Sequence, residues 1–258
     1  MSTALRMMSG MVTAQTEAHT REQQLTNGAH AELDGMVVNL ELTLISIIQG
    51  VALYFLTDSS RGLIVAPQWD LLPYVIAGLF VILLWWTRAI IHTLTVIRWP
   101  IEFTHNFLYV ASTLVEATMF AQMSSPANWF SIGALFSALV WILFASDLRL
   151  IRERLREPNG PATQTLLKAL YREQRFHARI SMPLTVLYYT ISALALRLWP
   201  RTLIEGGGHL WFGLPQLLGS LAYIIYIVQF FQHISPSILA MRRERMSLFV
   251  TARSDETT

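Results

Sequence analysis

The fold class predicted for this chain is an all-α integral membrane protein, a bundle of six transmembrane helices with both termini on the cytoplasmic side. Three observations predict it. Hydrophobic residues make up 53% of the 258 positions against 14% charged, too apolar for an ordinary soluble domain. The apolar residues gather into six runs near the ~20 residues that a helix needs to cross a hydrocarbon core. The basic residues fall unevenly between the connections, which encodes orientation.

Taken in order, residues 1–35 form a polar tail lacking the positive start, apolar run and cleavage site of a secretory signal. The membrane domain, 36–234, contains spans expected at 36–56, 72–97, 101–123, 128–146, 182–199 and 209–234. The 147–180 connection carries Arg149, Arg152, Arg154, Arg156, Lys168, Arg172, Arg175 and Arg179, and the tail 235–258 carries Arg242, Arg243, Arg245 and Arg253. The opposite side offers only Arg61, Arg197 and Arg201. The positive-inside rule therefore puts the termini, a 98–100 turn and the 147–180 segment in the cytoplasm, with a bacterial inner membrane as the default location. Trp69, Tyr74, Trp129, Trp199 and Trp211 are then expected at the outer interface and Trp99 at the inner one.

Within the long connection, Pro158-Asn159-Gly160-Pro161 reads as a turn. Thr163 is expected to cap a helix with Leu166, Leu167, Leu170 and Tyr171 on one face, making a helical hairpin that extends two spans. After Pro236, Ile238, Leu239, Met241, Met246, Leu248 and Phe249 alternate with arginines as in an interfacial amphipathic helix. These basic segments are expected to meet anionic lipid headgroups. Acids flank the arginines, so nucleic acid is not an expected partner.

The third span is the informative one. Glu102, His105, Asn106, Tyr109, Ser112, Thr113 and Glu116 share an arc of about 120° at 100° per residue. Glu102 and Glu116 are separated by roughly 21 Å along the axis, so the row crosses most of a core about 30 Å thick. A charge there costs roughly 2.5–3.5 kcal/mol on insertion scales and calls for a function or a partner. On the second span, Trp85, Arg88, His92, Thr95 and Trp99 follow helical spacing, and a short turn sets His92 and His105 at similar depth. Arg88 and Glu116 are the expected buried ion pair. Asn39, Thr43, Ser46 and Gly50 make a polar face on the first span, with Glu41 and Gln49 elsewhere; His209, His19 and His30 read as solvated.

The expected function is a channel or transporter moving protons or small ions along Arg88, His92, Glu102, His105, Asn106, Tyr109 and Glu116. The alternatives are a non-catalytic accessory subunit of a larger membrane assembly or homo-oligomer, and a metal- or haem-binding redox protein. For the last, Glu102-x-x-His105 has the spacing of helical metal sites, with His92 a further ligand. A haem between His92 and His105 requires that neighbouring helices leave room for the porphyrin. There is no cysteine, which excludes disulfides, thiolate metal sites and Cys nucleophiles. No Gly-rich phosphate loop or nucleophile elbow is present, so catalysis and a bound cofactor are not expected.

Overall fold

The computed structural model describes residues 2–65, 68–96 and 103–254, with side chains placed for 32–63, 65, 68–96 and 103–244. Glu102, Trp99 and the expected 98–100 turn lie outside the described residues, as do the side chains of His19, His30, Arg245, Met246, Leu248, Phe249 and Arg253.

Among the described residues every regular element is helical. The order is α1 (Ser2–Val65), a short 3-10 turn (Trp69–Leu71), α2 (Leu72–Thr95), α3 (Phe103–Ala121), α4 (Pro126–Arg156), α5 (Pro161–Phe176), a π-helical turn (His177–Ser181), α6 (Met182–Leu198), a second π turn (Arg201–Glu205) and α7 (Leu210–Ser254). Prolines open α2, α4, α5 and α6 in the first turn, where a missing N–H costs nothing and the fixed φ suits the helix. Among the described residues five segments are long and apolar enough to cross a membrane: Glu32–Leu63, Trp69–Thr95, Pro126–Arg156, Pro161–Leu198 and Leu210–Glu244. The polar row keeps α3 out of that group.

The outward surface fits a lipid environment. Leu184, Leu187, Ile191, Leu194 and Leu198 make an exposed row on α6 at the three- and four-residue spacing of one helix face. Exposed Thr87, Thr118 and Thr190 return their hydroxyl protons to Leu83, Leu114 and Val186 carbonyls at 2.7–2.8 Å, which satisfies them without water. The same economy inverts the expected face of α1: Asn39, Thr43, Ser46 and Gly50 point outward, and Glu41 and Gln49 point in. Thr43 and Ser46 bond to their own helix, whereas a carboxylate and an amide need partners from other helices.

Helix α4 is the central element, packed most extensively on α6 and then on α3; α1 packs on α2 and α3, and α7 on α2. Gly133 lets α4 approach α6, since a Cβ there would come within 2.4 Å of the Tyr189 ring. One end of the bundle is filled by Tyr74, Phe120, Trp129 and Phe130, all fully buried. Tyr74 and Trp129 are therefore core residues rather than interfacial ones: each turns its polar tip inward, Tyr74 to His209 at 3.1 Å and Trp129 to Gln216 at 2.9 Å. His209 is buried as well, not solvated, with Asp70 3.4 Å from Nε2. Trp69, Trp199 and Trp211 are exposed.

At the other end, α4 runs on to Arg156 and α5 continues through the π turn into α6, so the two do extend a pair of helices. Gly160, not Thr163, is the N-cap of α5. Thr163 is buried in the first turn, and the Glu244 carboxylate from α7 accepts its N–H and hydroxyl at 3.1 and 2.9 Å, an anion seated on the positive end of the helix. The expected interfacial helix after Pro236 is instead a continuation of α7: Ile238 and Met241 are buried with Leu166, Leu167 and Leu170 of α5.

Candidate functional site

The charged residues of the bundle converge near one end, where α2, α3, α4 and α5 meet. α2 and α3 face each other through long side chains: Trp85 stacks on Tyr109 at 5.3 Å and donates to the Thr113 hydroxyl at 3.2 Å. One to two turns further along, the His92 and His105 rings stack with centroids 4.6 Å apart. In this arrangement the two rings lie too close together for a porphyrin plane to pass between them. Asp147 of α4 closes the cluster, with Oδ1 2.8 Å from His105 Nδ1 and 3.5 Å from His92 Nε2. Their ligand atoms all lie within 4.8 Å of one another.

Arg88 does not meet Glu116. It reaches Glu173 of α5 at 2.5 Å, donates to the Gln174 side-chain oxygen, and lies over the Phe144 ring at 5.0 Å. The expected pair fails on depth: counted from the stacked His92 and His105, Arg88 is four residues along α2 and Glu116 eleven along α3, an offset of roughly 10 Å, while Glu173 arrives level with the guanidinium. His177, on the π turn, holds the same carboxylate at 2.9 Å, and the Tyr223 hydroxyl lies 3.4 Å from its Nε2. Glu116 is fully buried; the Gln49 amide is beside it, but neither carboxylate oxygen has a hydrogen bond of proper geometry. Gln49 donates instead to the Tyr109 hydroxyl at 3.1 Å. Asn106 donates to Glu41 at 3.3 Å, and Thr93 holds the other oxygen of that carboxylate at 3.5 Å.

A cavity of about 30 Å³, lined by Arg88, His92, His105, Tyr109, Asp147 and Glu173 among others, has room for one or two water-sized species. A larger apolar cleft of about 610 Å³ runs between α2, α4, α6 and α7 and shares Trp85, Arg88 and Phe144 with it.

Of the residues predicted for the site, the fold brings Arg88, His92, His105 and Tyr109 to one cavity, sets Asn106 behind it on Glu41 and leaves Glu116 deeper in the bundle; Glu102 is outside the described residues. Three further acids join the site without a motif to mark them. Asp147 follows directly on the expected 128–146 run, at the head of the expected basic connection. Glu41 shares the buried face of Val37 and Ile45, four residues from each. Glu173 falls in series with Leu166, Leu170 and His177, so an acid on the apolar face of an amphipathic helix was the available signal. No protein-family model matches the chain, and no curated protein or solved structure shows significant similarity to it.

Proposed function

We propose that the chain is a six-span membrane protein that moves protons or small cations, with Asp147 between His92 and His105 as its intramembrane cation site. In this reading α3 is the sixth span, the arginine-rich end is cytoplasmic, and the membrane is the bacterial inner membrane. The observation that carries it is a buried carboxylate held between imidazoles from two other helices, beside a water-sized cavity. Charge supports it too. Asp147 and Glu173 both face the Arg88 guanidinium, and Glu41 lies close to Asp147 and His105; a buried excess of negative charge is costly unless a cation balances it. Glu116, flanked by Gln49 and Tyr109, marks the deeper part of the route, and the sequence spacing predicts Glu102 in the same series.

The test is ion flux in vesicles holding the purified chain. Asp147→Asn is expected to slow flux at least tenfold, and Glu116→Gln, which removes no ion pair, to slow it while leaving the fold intact. Parent-like flux in both variants overturns the proposal.

A further inference from the structure

The geometry points to a more specific cargo for that site: we propose that His92, His105 and Asp147 bind a divalent first-row transition metal ion of the zinc class. This rests on the cation-site reading above and names its ligand. Zn²⁺ takes imidazole nitrogen at about 2.0–2.1 Å and carboxylate oxygen at about 2.0–2.2 Å. Donors at that distance around a tetrahedral ion are about 3.4 Å apart. The His92 Nε2 to Asp147 Oδ1 separation is already 3.5 Å, and the 2.8 Å His105 contact needs to open by about 0.6 Å to reach that spacing.

The ligands come from α2, α3 and α4, so the site forms only when the bundle does. His92 Nε2 makes no hydrogen bond of proper geometry, which leaves a buried ring nitrogen with its lone pair or proton unanswered. Nitrogen and oxygen donors without sulfur favour borderline and hard divalent ions over Cu(I). Three protein ligands with a cavity alongside match sites that keep a fourth position for water or a passing ligand, rather than closed structural ones. Glu41, near enough to His105 and Asp147 to feel their charge and fixed by Asn106 and Thr93, supplies further negative potential. Rings stacked too closely for a porphyrin do not hinder a single ion.

The full-length chain, freed of any affinity tag, is titrated in detergent with Co²⁺ as a spectroscopic probe and then with Zn²⁺, and metal content is measured after dialysis. The expected result is one ion per chain, with the intense visible bands of four-coordinate Co²⁺ displaced by Zn²⁺. Asp147→Asn is expected to weaken binding at least tenfold. His92→Gln runs beside it because Nε2 has no hydrogen bond to lose, and it too is expected to weaken binding at least tenfold. His177→Gln, outside the trio, should bind as the parent does. Absence of stoichiometric Co²⁺ or Zn²⁺ at micromolar concentration, or parent-like binding in His92→Gln, overturns the metal assignment. Flux of protons through such metal-free protein would leave the transport reading standing. Tight binding with no flux of any cation would overturn transport and leave the metal site.

Discussion

Around Tyr74, Trp129 and Phe130 the bundle is filled with rings, and around Arg88, His92 and Asp147 it is filled with charge. The two regions lie at opposite ends of α2 and α4. At the aromatic end, Tyr74 and Trp129 meet edge to face at 5.6 Å, Phe130 and Tyr189 meet at a tilt at 5.7 Å, and the polar tips find Gln216 and His209. Ring contacts dominate there, and among the described residues of that end the Gln216 amide nitrogen is left without a hydrogen bond. At the charged end each group depends on a partner from another helix, and a cavity remains. A buried ion pair rarely stabilises a fold more than apolar groups of the same shape would. The charged end thus makes a poor anchor, and its retention in an otherwise apolar bundle points to use rather than to strength.

Substitutions separate the two ends, and the largest effect belongs to Arg88. Arg88→Gln leaves Glu173 buried without its guanidinium and is expected to lower stability by about 3–5 kcal/mol, read from denaturant unfolding in mixed micelles. Adding Glu173→Gln should recover most of that loss; a double variant as unstable as the single would mean that Arg88 acts mainly by packing on Phe144.

At the aromatic end, Gly133→Ala drives a methyl group into the Tyr189 ring and is expected to cost about 1–3 kcal/mol. Flux should be unaffected, because the residue lies away from the charged cavity. Equal stability would show that α4 and α6 are free to move apart. The smallest effect is expected for Glu116→Gln. With no carboxylate hydrogen bond to lose, stability should stay within about 1 kcal/mol of the parent or rise. A drop of several kcal/mol would reveal a partner and move Glu116 into the same class as Asp147.

Much of this was legible in the residues. The apolar runs located the long helices, and the row on α3 correctly marked an inward face: His105, Tyr109, Ser112, Thr113 and Glu116 are all buried. What the residues concealed was pairing. Arg88 looked toward Glu116 because both sit in adjacent apolar runs, while its actual partner is 85 positions away in a segment dominated by arginine. Composition averages over a helix and so hides one acid on its buried face.

By itself, then, the order of residues determined which segments are helical, which are long and apolar enough to cross a bilayer, and which side of α3 turns inward. These follow from local propensity and from the cost of exposing polar groups to acyl chains. Only the tertiary structure decided that Asp147 joins His92 and His105, that Glu173 reaches Arg88 and that Glu116 stands apart. Such contacts depend on the depth and rotation of each helix against its neighbours, and those are set by packing across the whole bundle, at positions such as Gly133, rather than by any one segment.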